Sequence, residues 1–174
     1  MNILVLNGSP RQGNTVTAAK TFAEGATAAG HQVEIVDTYK LKVGPCMGCG
    51  ACECHKGCVA KDDTNMIVDK IVAADVVVFA TPVYWWGMTA QMKLVVDKCY
   101  CRGAQLKGKT VGVIVIGGAA TDDPEYRIIR EQFACIAGYL DWKILFHESI
   151  AASAKTDLAG NEEALAAVKA LGNI

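Results

Sequence analysis

A cluster of cysteines carries the most distinctive chemistry in this sequence. Five of the chain's eight cysteines lie within PCMGCGACECHKGC, residues 45–58. Two residues separate the first three of these cysteines from one another, and five residues separate the third from the last. Zinc sites usually place two such pairs about a dozen or more residues apart, whereas this compressed run is similar to the opening of cubane-binding loops. The candidate metal ligands are Cys46, Cys49, Cys52 and Cys58.

The spacing of these cysteines leaves three possibilities open. The thiolates could hold a [4Fe-4S] cluster or zinc, with Cys54 as a spare ligand. They could also bind no metal, because a free cysteine packs well as a small apolar side chain.

The segment NGSPRQGNT, residues 7–15, combines groups that bind a phosphate monoester. It joins an apolar run to a helical pattern, and the first N–H groups of a helix lack internal partners. Ser9, Asn14 and Thr15 offer side-chain donors, and Arg11 offers a charged guanidinium. The segment matches neither GxGxxG nor the GxxxxGK[ST] loop. A turn capped by Asn14 or Thr15 is the alternative, but Arg11 and the position of the loop favour phosphate.

Two further segments predict a binding surface for a flat ring. TPVYWWGMT, residues 81–89, places three aromatic side chains after a buried apolar run, and Gly117–Gly118 follows the next one. Three consecutive aromatic residues cannot all face one core, so at least one is expected to line a pocket or contact a partner. The alternative is that they fill the core or a subunit interface.

The elements that position these segments alternate regularly along the chain. Five apolar runs rich in Val and Ile are the predicted strands, at residues 2–7, 32–36, 75–81, 109–118 and 141–149. Helical patterns separate them, including residues 124–140, and another closes the chain at 161–171. Continuously apolar strands are typical of a parallel sheet covered on both faces. The sequence therefore predicts an α/β fold, an open three-layer α/β/α sandwich with its ligand beyond the carboxyl ends of the strands.

Length, composition and charge narrow the possible functions. The 174 residues suit a single domain spanning 1–174, and 17 basic against 18 acidic residues leave a net charge near −1. No basic patch stands out, so nucleic acid is not an expected partner. No secretion signal and no run of about 18 apolar residues is present, which predicts a cytoplasmic protein without a membrane partner.

Three segments together resemble a known family. NGSPRQGNT at 7–15, PCMGCGAC with Cys58 and KDD at 61–63, and TPVYWWGMTAQMK at 81–93 are similar to the flavodoxin-like NAD(P)H-dependent FMN reductases, which include the iron–sulfur flavoproteins. The resemblance extends roughly to residue 118. It implies a flavodoxin-like, five-stranded parallel sheet of order 2-1-3-4-5.

The resemblance also implies where FMN would bind. Its phosphate would contact Ser9, Arg11, Gln12, Gly13, Asn14 and Thr15. Its ring would rest on Pro82, Val83, Tyr84 and Trp85, near Gly87, and would be bordered on the other side by Gly117 and Gly118. Members of the family usually form homodimers or homotetramers, and Trp86 would be an interface residue on that basis.

The function implied by the resemblance is an FMN-dependent oxidoreductase. It would take electrons from NAD(P)H and pass them to a quinone, a small organic acceptor or a redox protein. No protein nucleophile or general base is required, so His31, His55 and His147 are expected at the surface. The alternative is an iron–sulfur flavoprotein electron carrier with a [4Fe-4S] cluster on the four cysteines above.

Overall fold

Five parallel strands form one sheet of order β2-β1-β3-β4-β5 in a computed structural model that describes residues 1–174. The strands are β1 (Asn2–Asn7), β2 (Gln32–Asp37), β3 (Val76–Pro82), β4 (Thr110–Gly117) and β5 (Lys143–Ala151). All four pairings are parallel, and a bulge between Val111 and Gly112 interrupts the register of β4 with β5. The predicted fold class and strand order are confirmed.

Five α-helices connect or follow the strands. They are α1 (Asn14–Ala28), α2 (Thr64–Ala73), α3 (Ala90–Lys98), α4 (Pro124–Leu140) and α5 (Glu162–Ala170). Short 3-10 segments lie at Thr38–Lys40, Cys99–Leu106 and Leu158–Gly160. None of the helices combines the length and the apolar composition needed to cross a bilayer.

The two faces of the sheet carry separate apolar cores, because successive side chains of a strand point to opposite faces. Ile3 and Val5 pack with Phe22 of α1 on one face. Leu4 and Leu6 pack on the other face, in a cluster to which α2, α3 and α4 all contribute. The central strand β3 is buried from Val76 to Thr81, as its continuous apolar sequence predicts.

The edge strand β5 holds a histidine that the sequence placed wrongly at the surface. His147 pairs in register with Val113, whose side chain belongs to the core on the α4 face. Both ring nitrogens of His147 are buried and have no hydrogen-bond partner. Burial and, to a smaller extent, the positive charge of Arg130 lower the pKa of His147 to about 4.

We expect His147→Leu to remove part of the acid sensitivity of the fold. A histidine whose pKa falls below its unfolded value contributes stability above the unfolded pKa, near 6.5, and this stability is lost as the pH falls towards 4. Between about pH 7 and pH 5 the wild type should lose about 1 kcal/mol more than the variant, after allowance for solvent screening. Urea titrations at both pH values measure this difference.

The neighbouring Glu148 acts in the opposite direction, since burial raises its pKa. It is present in both proteins, so the comparison cancels its contribution. The exposed His55 supplies the control variant His55→Gln, which should keep the wild-type pH dependence. Equal pH slopes for wild type and His147→Leu would contradict the assignment.

Candidate functional site

The loop between β1 and α1 presents a run of backbone donors. Gly13 is the N-cap of α1 and supplies no capping side chain. The backbone N–H groups of residues 12–16 donate to no acceptor in the protein. Arg11 is exposed and forms no ion pair with a carboxylate. Free N–H groups, a positive helix end and an unpaired guanidinium are a donor set that fits a phosphate monoester.

Two of the predicted phosphate-binding side chains make hydrogen bonds within the protein. Ser9 is buried, and its Oγ donates to the Arg11 carbonyl oxygen at 2.8 Å and accepts from the Arg11 N–H at 3.3 Å. Asn14 Nδ2 donates to the carbonyl oxygens of Ala152 and Ala154, and Asn14 Oδ1 accepts from the Leu158 N–H. The Asn14 side chain therefore attaches the loop to the segment after β5 and leaves only its backbone N–H to a ligand.

Thr89 joins the phosphate loop to the aromatic loop. It is the N-cap of α3, where its Oγ1 accepts from the Met92 N–H, and the same hydroxyl donates to the Gly8 carbonyl oxygen at 2.8 Å. A β-carbon on Gly8 would lie 3.0 Å from Thr89 Oγ1 and 3.3 Å from the Ala80 carbonyl oxygen. Only glycine therefore allows the two loops to approach this closely.

The aromatic loop forms a two-residue hairpin with unusual backbone angles. The Tyr84 N–H donates to the Gly87 carbonyl oxygen at 2.8 Å, and the Gly87 N–H donates to the Tyr84 carbonyl oxygen at 3.1 Å. Trp85 and Trp86 between them have φ of 51° and 59°, in the left-handed region that favours glycine and asparagine. The Trp85 side chain is 92% exposed and meets Trp86 edge to face. The chain thus adopts a strained turn that presents these rings to solvent instead of burying them.

The loop after β4 lies beside the other two at the same edge of the sheet. The Val83 N–H donates to the Ile116 carbonyl oxygen at 2.7 Å, which ties the aromatic loop to the end of β4. Gly117 is buried, and a β-carbon there would collide with Glu125 and Tyr126. Its small size is therefore required by packing within the protein. Gly118, in contrast, is exposed.

The four predicted metal ligands line one cavity of about 630 Å³. Cys46 and Cys49 are exposed, and Cys52 and Cys58 are half-buried. Across the chain, no group of three or more His, Cys, Asp or Glu side chains is arranged to hold a metal ion. The structure thus places the four thiols in the walls of the same cavity without drawing their sulfur atoms together.

A buried lysine forms part of this cysteine cavity. Lys98, at the end of α3, is 4% exposed, and its Nζ lies 3.4 Å from Cys58 Sγ. Burial alone would lower the pKa of Lys98, but the Cys58 sulfur and the charges of Asp62 and Cys46 raise it overall. A buried ammonium needs a negative partner, so this cavity favours an anionic group. Lys98 could not be recognised from the sequence, because its spacing relates it to no cysteine motif.

A second cavity, larger than the cysteine cavity, reaches the sheet-edge loops only at Met88. It is an apolar groove of about 820 Å³ between α3, the segment Cys99–Leu106 and α4. Tyr100 lines both this groove and the cysteine cavity, and Cys54 lines only the groove. Cys54 therefore does not share the cavity of the four candidate ligands.

All predicted FMN-contacting segments lie at the carboxyl edge of the sheet, where the strand order changes direction between β1 and β3.

Comparisons with known proteins identify the family of the chain. Residues 1–127 match the family model for NADPH-dependent FMN reductases. An iron-sulfur flavoprotein of Methanosarcina thermophila is 33% identical over 132 residues, which are 74% of this chain and 69% of that protein.

Another iron-sulfur flavoprotein, from Methanocaldococcus jannaschii, is 29% identical over 131 residues, which are 74% of this chain and 68% of the relative. The matches to such proteins cover 54–69% of their length. Among solved structures, an NAD(P)H:quinone oxidoreductase from Methanothermobacter marburgensis superposes with a TM-score of 0.79. That alignment covers 99% of this chain and 96% of the other at 19% identity, a likeness of fold.

The fold and the family match place the chain in the class of FMN-dependent oxidoreductases. The chain belongs to the NADPH-dependent FMN reductase family.

The strained turn gives a prediction that is independent of any ligand. We expect the free energy of unfolding to be about 1 kcal/mol higher for Trp85→Gly than for Trp85→Ala. The reason is that only glycine enters the left-handed region without steric cost. At positions with negative φ the alanine variant would be the more stable of the two. Urea denaturation of the two variants measures the difference. Since the Trp85 ring is 92% exposed, both variants lose little packing, and an alanine variant as stable as the glycine one would contradict the turn geometry.

Proposed function

We propose that the chain holds FMN at the carboxyl edge of the sheet, accepts electrons from NAD(P)H and delivers them to a quinone, a small organic acceptor or a redox protein. The family match supports the cofactor and the reaction class. FMN, when bound, would supply the hydride-accepting and electron-donating chemistry. The residues of this chain would bind and orient it and shield one face of its ring.

The observation that carries the proposal is the run of free donors at the start of α1. Five consecutive backbone N–H groups without acceptors, beside an unpaired Arg11, fit the oxygens of a doubly charged phosphate. The phosphate contacts we propose are the side chains of Ser9, Arg11 and Thr15 and the backbone of Gln12, Gly13 and Asn14. Ser9 shares its hydroxyl with Arg11, so it would also hold the loop in shape.

The exposed aromatic hairpin would hold the ring. Pro82 and Val83 leave the sheet at its carboxyl edge, and Tyr84, at 44% exposure, retains free ring surface. Trp85 and Gly87 complete this wall, and a β-carbon at Gly87 would meet no atom nearer than 3.8 Å, which leaves room for a ligand. Gly117 and Gly118 would border the opposite side. We propose no catalytic side chain here, because the cofactor would carry the reaction.

An anaerobic titration tests the function. We expect protein purified with bound FMN, or reconstituted with it, to be yellow and to bleach when NADPH or NADH is added without air. Absorbance near the flavin band follows the change, and free FMN with the same nicotinamide concentration is the control. Bound flavin that is reduced only by dithionite would contradict the NAD(P)H reductase function.

A second function, that of an iron–sulfur electron carrier, is favoured by the cysteine cavity. Cys46, Cys49, Cys52 and Cys58 line it, and the buried Lys98 would offset the negative charge of four thiolates and a cluster. Binding requires the loop to draw the sulfur atoms together. Gly48 and Gly50 already adopt φ of 62° and 73°, so the loop can coil tightly between the ligands. Relatives named iron-sulfur flavoprotein also support this candidate.

Iron and sulfide analysis separates this second function from a flavin-only protein. After anaerobic reconstitution we expect about four iron atoms per chain in the wild type and fewer than about one in Cys58→Ser. Cys135→Ser, at an exposed cysteine of α4 outside the cavity, should keep the wild-type content. Less than about one iron per wild-type chain would contradict four-cysteine ligation, and stoichiometric zinc would favour that metal instead.

A homodimer or homotetramer in the cytoplasm stays a prediction from the family resemblance. The exposed rings of Trp86, Tyr100 and Tyr139 are side chains that a second copy would cover.

A further inference from the structure

The segment between β5 and α5 lies directly on the proposed cofactor loops. It falls outside the residues 1–127 that match the family model. Asn14 fixes it to the start of α1 through two hydrogen bonds to Ala152 and Ala154 and one from Leu158. Asp157 Oδ2 accepts from the Ala154 N–H at 2.7 Å, which braces the turn from within. The segment is therefore held at the phosphate loop by buried polar contacts.

Two side chains of this segment lie against two of the glycines of the proposed site, Gly118 and Gly13. A β-carbon placed on Gly118 would lie 3.7 Å from Ser153 Oγ. One placed on Gly13 would lie 3.3 Å from Lys155 Cγ and 3.9 Å from Arg11 Nε. The aliphatic stem of Lys155 thus packs over Gly13, and its ammonium is three bonds beyond that contact.

Lys155 and Arg11 flank the same glycine, and neither forms an ion pair with a carboxylate. The start of a helix needs only capping groups for its free N–H groups. It does not need two unpaired cations beside five such N–H groups. Two positive charges match the charge of a phosphate monoester, whose second ionisation is largely complete at neutral pH. The same loop without Lys155 would offer only one cation.

We propose that Lys155 is a second cationic ligand of the cofactor phosphate, which makes the site selective for a phosphorylated flavin over the unphosphorylated one. This inference rests on the proposed function and names a residue that neither the motifs nor the family match includes. Lys155 would contribute through charge and would leave the ring site unchanged.

Titrations with FMN and riboflavin test the proposal, because the two ligands share the ring and differ in the phosphate. We expect Lys155→Gln to weaken FMN binding about 3–10-fold and Lys155→Glu to weaken it further, with riboflavin affinity unchanged within about twofold. The loss should be largest at about 0.01 M salt and small at about 1 M, since the Debye length shrinks from about 30 Å to about 3 Å. Quenching of flavin fluorescence reports both affinities.

Two further variants serve as references for the Lys155 substitutions. Lys143→Gln removes an exposed lysine at the opposite end of the sheet and should match the wild type, whereas Arg11→Gln should weaken FMN at least as much as Lys155→Gln does. Equal weakening of FMN and riboflavin, or wild-type FMN affinity in both Lys155 variants, would overturn the role of Lys155. A wild-type protein that binds FMN no more tightly than riboflavin would overturn the proposed phosphate site itself.

Discussion

The hydrogen bonds of the Asn14 side chain are the interaction on which the site depends. Asparagine at a helix start commonly caps the first turn, which would consume its donors and acceptors locally. Here the side chain is turned away and bridges to Ala152, Ala154 and Leu158 instead. Since Gly13 has no side chain to cap with, the first turn of α1 keeps its N–H groups free. One side chain therefore both leaves the anion site open and holds the distant segment beside it.

The fold could be predicted from sequence because it rests on patterns that are local and redundant. The five apolar runs are found as strands with bounds shifted by at most two residues, and α4 occupies Pro124–Leu140 as predicted. Apolar burial on both faces of the sheet forces this arrangement whichever loops join the strands. The sheet-edge position of the phosphate and aromatic loops followed from the same reasoning, since parallel strands end together.

Contacts between distant residues were the part that the sequence could not reveal. His147 reads as an ordinary polar residue in an edge strand, and only the packing of α4 over β5 buries its ring. Lys98 and Lys155 resemble any surface lysine until the fold brings them to Cys58 and Gly13. No feature of the sequence indicated the left-handed φ angles of Trp85 and Trp86, because tryptophan is a residue type that avoids this region. In each case tertiary context overrides what the residue type favours.

Helix α3 connects the two candidate redox sites mechanically. Its N-cap Thr89 is bonded to Gly8 of the phosphate loop, and its last residue, Lys98, contacts Cys58 in the cysteine cavity. Nine residues of helix at about 1.5 Å each place these ends about 14 Å apart. Both ends are buried, so the helix cannot shift at one without disturbing the other. A ring held at the aromatic hairpin and any group held by the cysteines would therefore keep a separation that α3 sets.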